Sequence, residues 1–398
     1  MFNVEAIANP QVSEGRFESA GAGPRPGEMH SDRATVAYLA PWGSQAAGRL
    51  LAASLRKGLQ IHSSDRAFIQ DGRTYPAGTL IFKVTGNSAD LAQKLVALAR
   101  DTGADVYGTN SGWVESGVNF GSRHVLQVRK PAIAMAWDAP SVSAAAGATR
   151  FVLERQFGYP VTPVRTAQLG TADLSQFNVL ILPPGGDYGG WLGESGIERL
   201  KNWVRAGGTL IALGEAVDFL TDPQTALLDL AQETALGSIE EKKKDQKEER
   251  KRVPGSELAS DAQYQQATQA SGELPDSAPG AIVRARLQTG HWLTAGAGES
   301  VNAMVTGRII YAPIKSDKGV NAAFFEAPGR LLASGYLWDE NRRQMAYKPL
   351  VVAQPSGRGT VVAFTADPNF RGMLDGMNVL FLNAVFRGPA HAAAAPTE

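Results

Sequence analysis

The stretch from Phe177 to Leu220, FNVLILPPGGDYGGWLGESGIERLKNWVRAGGTLIALGEAVDFL, leaves few folds open. Its apolar run Val179–Leu182 shows no alternation and is cut off by Pro183, Pro184, Gly185 and Gly186. A short unbroken apolar run ended this way reads as a strand buried on both faces. Ile197, Leu200 and Val204 then recur at helical spacing, with Lys201 at the edge of that face, where its stem covers apolar surface. Gly207 and Gly208 stop the helix. Thr209–Leu213 is a second buried strand, and Gly214-Glu215-Ala216 turns directly into another helix. Strand, helix, strand, turn and helix build a parallel sheet by right-handed crossovers, with ligands bound beyond the carboxyl ends of the strands.

The tight turn after such a strand is, in many α/β enzymes, an elbow with a nucleophile at its apex. Here the apex is Glu215, or Gly214 in the other register, and neither carries a thiol or a hydroxyl. The chain has no cysteine, which excludes disulfides, thiolate zinc sites and a cysteine nucleophile. Lys plus Arg and Asp plus Glu are equal at 39 each, so no overall field draws the chain to nucleic acid or an acidic membrane. No run approaches the roughly 20 apolar residues of a membrane helix. The first residues, MFNVEAIANPQ, lack the basic and apolar regions of a signal peptide. The compartment stays open.

At 398 residues the chain has room for two or three domains. Residues 1–33 read as a linker, because GAGPRPGEMHSDR holds Pro and Gly where a regular element would need neither. Residues 34–128 read as a small α/β domain. Strands are expected at Ala34–Ala40, Leu59–Ile61 and Thr79–Val84, with a helix over Ser44–Lys57 and a second one capped by Ser88. Residues 129–388 read as the parallel-sheet domain. It opens on a strand ending at Asp138 and continues through a helix over Ser143–Phe157, with Phe151, Val152 and Phe157 turned inward. Residues 222–280 read as a charged, flexible insertion, since Glu240–Arg252 mixes both signs with almost no apolar residue. Leu350–Gln354 and Gly359–Thr365 read as a hairpin across Pro355 and Gly357, and 389–398 as a loose tail.

Candidate site residues follow from the topology. Glu215 at the elbow either binds a cation, acts as a base, or only complements a helix N-terminus. Gly185, Gly186 and Asp187, after the neighbouring strand, either present backbone N–H groups to an anion or merely allow a sharp turn. Asp138, Glu215 and Asp367 are all expected near strand carboxyl ends, where three carboxylates make a metal or acid–base site. His291, in a loop after Gly290, is placed at the same rim as a partner for Glu215, or on the surface with no such role. Trp191 and Tyr188 are candidates for a sugar or peptide contact.

LPPGGDYGG followed by LKNWVRAGGTLIALGEA resembles the class I glutamine amidotransferase-like domain in its PfpI-related, non-amidotransferase branch. That likeness implies a flavodoxin-like fold and, without the family's elbow cysteine, withholds its chemistry. AYLAPWGSQAAGRLLAASLRKGLQIH, SGVNFGSRHVLQVRKPAIAM and GRGTVVAFTADPNFRG carry a second likeness, which covers about 34 to 388. Together they resemble the long non-peptidase region that follows the catalytic domain in certain bacterial M14-type zinc carboxypeptidases. That family's zinc motif needs a His and a Glu three residues apart with a distant second His. Among the five histidines here only His62, with Asp65, comes near the spacing. The resemblance implies an accessory portion that binds a small peptide-like ligand or packs on an upstream peptidase domain. Zinc is expected in that upstream domain and not in this chain. If the chain is a fragment, the whole protein is expected to be exported.

Overall fold

The computed structural model describes residues 10–11, 14–16, 25–236, 259–268 and 274–392. The first unit carries β1 (Met29–His30), β2 (Ala37–Ala40), β3 (His62–Ser64), β4 (Phe68–Gln70), β5 (Arg73–Tyr75), β6 (Leu80–Lys83), β7 (Val106–Thr109), β8 (Ser116–Gly117) and β9 (Val125–Gln127). Six of them form a sheet in the order β1-β7-β2-β6-β3-β9, and β5-β4-β8 form a small second one. Because β1 pairs in parallel with β7, the segment read as linker already joins the domain at Met29. Helix Gln45–Arg56 starts at Ser44, whose hydroxyl accepts from the Ala47 amide at 3.1 Å. The next helix, Leu91–Thr102, is preceded by Asp90 and not capped by Ser88, whose hydroxyl is bound to the Asp90 carboxylate. The strand expected at Leu59–Ile61 forms three residues later, at β3.

The second unit is one ten-stranded sheet built from β10 (Ile133–Trp137), β11 (Thr162–Arg165), β12 (Val179–Leu182), β13 (Thr209–Leu213), β14 (Ala278–Leu287), β15 (Ser300–Gly307), β16 (Val320–Phe325), β17 (Leu332–Gly335), β18 (Pro349–Ser356) and β19 (Gly359–Phe364). The order is β11-β10-β12-β13-β19-β18-β16-β14-β15, with β17 on β14. The five strands from β11 to β19 are parallel. Counted along the chain, they run 2-1-3-4-5, the flavodoxin-like order. Beyond β19 every pairing is antiparallel. The stretch between the fourth and fifth parallel strands thus returns as half of the sheet.

The apolar runs of the parallel strands serve two cores at once. Ile181, Ile211 and Leu213 face one cluster, while Leu180, Leu182, Leu210 and Ala212 face the other. The first cluster also holds Leu50 and Leu51 of the first unit, so the two units share one core. On the other face lies helix Tyr188–Arg205, which buries Ile197, Leu200 and Val204 and ends before Gly207, as the spacing predicts. Helix Ser143–Phe151 widens into a π turn over Val152–Gln156 and buries Val152 and Phe157, but Phe151 is half-exposed, contrary to expectation.

Two further boundaries differ. Residues 222–236 are not a free excursion: Leu227, Leu228 and Leu230 are buried, and Glu233 pairs with Lys348. The charged run Glu240–Arg252 lies outside the described residues. The tail read at 389–398 begins instead as a short helix, Gly388–Ala392, with Pro389 and Ala392 buried and Pro389 at a position the start of a helix tolerates.

Candidate functional site

β13 delivers its last residue, Leu213, to the rim of the sheet, and the chain reverses at Gly214. Gly214 has φ +54°, the left-handed region that costs an L side chain about 1–2 kcal/mol. Its amide donates to Phe364 O at 2.8 Å, which ties the turn to the end of β19. The strained apex is therefore Gly214, and Glu215 is already helical (φ −62°) and exposed at the head of the short helix Ala216–Thr221. Its carboxylate makes no capping hydrogen bond there.

The chain leaves β19 through Thr365 and Ala366 to Asp367, the second carboxylate of the rim. Glu215 and Asp367 line one cavity of about 180 Å³ between the parallel strand ends and the antiparallel half. Its walls are largely apolar, with Val142, Met304, Ile310, Phe325, Met345 and Phe370 among them. Asp367 is half-buried, and its own chain turns back so that the Asn369 amide donates to Oδ1 at 2.9 Å. Burial pushes its carboxyl up to about 6; the Asn369 bond opposes this and the charge on Glu215 adds to it.

Two polar side chains on the same wall each hold one atom without a partner. Tyr311 is 2% exposed and its hydroxyl has no hydrogen bond. Burial raises its pKa, and the charges on Asp218 and Glu215 raise it further. Asn341 is also 2% exposed; its Nδ2 donates to Asp276 O at 2.7 Å, which fixes Oδ1 as an acceptor with nothing to accept from. A buried polar atom left unmatched costs about 1–3 kcal/mol. The cation on the wall is Lys348, and Glu233 already holds it.

The remaining candidates are spent elsewhere. Asp138 is exposed and pairs with Arg165 at 3.2 Å, so it does not complete a three-carboxylate site. Gly185 is buried and bridged to Ser141; a Cβ there would lie 2.4 Å from Pro140 O, so close chain approach explains this glycine. Gly186 is exposed in open space. Asp187 caps helix Tyr188–Arg205 through the Gly190 amide at 3.1 Å. Tyr188 is buried and donates to Pro183 O, which leaves Trp191 exposed without it.

His291 is not a partner for Glu215. It sits in the turn before Trp292–Thr294, at the junction of the two units. There Asp65, Arg387 and His391 gather. Arg387 Nη2 donates to Asp65 Oδ1 at 2.6 Å and Nη1 to Trp292 O at 2.7 Å; His391 lies 3.3 Å from Asp65 and stacks on Trp292. Asp65 is thus taken up with Arg387 and His391, not with His62 in a metal pair. Among the described residues, no group of three or more His, Asp or Glu could hold a metal ion. Sequence reasoning missed Tyr311, Asn341, Arg387 and His391, each defined by neighbours far away in the chain.

No family model and no curated protein matches the sequence. Among solved structures, a protein described as ThuA-like from Parabacteroides merdae is similar, at 12% identity and TM-score 0.44, over 67% of this chain and 93% of that one. A glutamine amidotransferase from Thermotoga maritima is similar at 6% identity and TM-score 0.39, over 66% and 99%. A protein from Thermoplasma acidophilum described as part of a GMP synthase is similar at 9% identity and TM-score 0.38, over 65% and 94%. The flavodoxin-like assignment stands on the strand order itself.

Proposed function

We propose that this chain is a non-catalytic binding module with an amidotransferase-like sheet, which holds a small peptide-like ligand at the carboxyl ends of its strands. The observation that carries this reading is the pairing of a glycine at the elbow apex with a cleft in which Tyr311 and Asn341 keep unmatched polar atoms. The apex has no reactive side chain, and the wall beside it has hydrogen-bonding capacity that a ligand would use. The sequence resemblance adds a partner to the proposal: a zinc carboxypeptidase domain, against which the module would pack. A panel of amino-acid amides and dipeptides, scored by thermal shift and calorimetry, tests the reading. Binding without turnover is expected. Peptide hydrolysis by the chain that disappears in Glu215→Ala would contradict it.

One observation favours a second reading, a hydrolase. Glu215 and Asp367 share the cleft, and a carboxyl raised to about 6 can give up a proton as a general acid near neutral pH. In that case Asp367→Asn abolishes turnover of a substrate the wild type cleaves. His291 has no part in it.

A further inference from the structure

We propose that the cleft at the carboxyl ends of β13 and β19 binds a primary ammonium group carried on an apolar body. The inference rests on the binding reading above and names the ligand class for the same site. Of the polar side chains that line the cavity, Glu215 and Asp367 are carboxylates, Asn341 Oδ1 and the Tyr311 hydroxyl are acceptors buried in the wall without a partner, Thr365 is spent on Pro349 O, and Thr306 can accept as well as donate. An ammonium offers three N–H donors and no acceptor, the complement of that set. The positive charge on the wall is not free, since Lys348 is neutralised by Glu233. A ligand carboxylate would meet two carboxylates and no unpaired cation among the described residues of the wall. Val142, Met304, Ile310, Met345 and Phe370 supply the apolar surface for the rest of the ligand, in a cavity of about 180 Å³. A peptide amino terminus next to an apolar first residue has this chemistry.

The proton on Asp367 gives the site a signature. Burial holds that carboxyl at about 6, so an arriving ammonium binds better once the proton has left. Amine affinity therefore rises as pH rises through about 6.

The test is calorimetry on the full chain with three matched probes: phenethylamine, 2-phenylethanol and phenylacetate. Phenethylamine is expected to bind about tenfold or more tighter than the alcohol, the scale of one hydrogen-bonded charge, and phenylacetate not to bind. Asp367→Asn and Glu215→Gln should each weaken the amine about tenfold, and Tyr311→Phe a few-fold. Ala145→Trp, which fills the cleft, should abolish binding, with circular dichroism confirming that each variant folds. Equal binding of amine and alcohol, both lost in Ala145→Trp, would overturn the ammonium assignment and leave the binding module standing. Binding of phenylacetate in preference would do the same. No binding of any probe, or binding that survives Ala145→Trp, would overturn the assignment, and no dipeptide binding either would bring down the module reading as well.

Discussion

Two groups of ionisable side chains in this molecule are built in opposite ways. At the junction of the units, Asp65, Arg387, His391 and His291 close on one another. Arg387 is 2% exposed, and its donors reach Asp65, Ser64 O and Trp292 O. Burial pulls its pKa to about 10, so it stays charged near neutral pH. Burial also pushes Asp65 up, but the His391 hydrogen bond and the charges around it outweigh this and hold it below its usual range. Since burial keeps His391 neutral near pH 7, Arg387 is the permanent counterion. At the rim of the sheet, by contrast, Tyr311 and Asn341 end in atoms with no match, and Asp367 faces Glu215, a like charge. A closed cluster fixes geometry, whereas an open one has interactions left to give. The first clamps two units over a shared core, and the second is the site proposed for a ligand.

Breaking the clamp should produce the largest effect. Arg387→Ala leaves Asp65 buried without its counterion, and denaturant unfolding should show a loss of about 3–5 kcal/mol. A loss under about 1 kcal/mol would mean that the junction opens to water. Acid should act on the same cluster. Burial lowers His291 to about 4, with His391 and Arg387 lowering it and Asp65 raising it. The unfolded chain takes up that proton near 6.5. Stability from the neutral histidine is therefore complete above about 6.5 and lost as pH falls towards 4. His391, also lowered, acts in the same direction, and Asp65, lowered, loses its contribution at more acid pH still. His124, whose carbonyl accepts the Asp65 amide at 2.8 Å, is the fifth group facing this cluster. Thermal melts from pH 7 to 4 should fall steadily, and the fall should shrink in the double variant His291→Gln, His391→Gln.

The rim should respond weakly in stability. Gly214→Ala should cost about 1–2 kcal/mol, from φ +54° and a new Cβ 3.3 Å from Pro184 Cγ. Tyr311→Phe removes a buried hydroxyl that has no partner, so the ligand-free protein should be unchanged or up to about 1 kcal/mol more stable. A marked loss in Tyr311→Phe would show that the hydroxyl is already satisfied, and the contrast between the two clusters would vanish.

The parallel half is legible in the sequence because its determinants are local. Val179–Leu182 and Thr209–Leu213 bury both faces, so they read as unbroken apolar runs, and Gly207 and Gly214 mark the turns by backbone chemistry alone. Glu215 and Asp367 are foreseeable in the same way, since each follows a strand. What the local pattern hides depends on distant chain. Nothing around Tyr311 or Asn341 announces a cleft, because the opposite wall comes from β13 and β19. His391 reads as tail because its partners, Asp65 and Trp292, lie more than 300 and nearly 100 residues earlier. His291 is expected at the wrong rim because a loop histidine carries no information about which side of a sheet its turn packs on.

The most direct test is a crystal structure of the chain grown with phenethylamine. The account predicts the amine nitrogen in hydrogen-bond reach of Asp367 and of the Tyr311 hydroxyl or Asn341 Oδ1, with the ring against Met304 and Phe370. An empty cleft with the amine only elsewhere on the surface, or the ring seated with its nitrogen turned out to solvent, would contradict it.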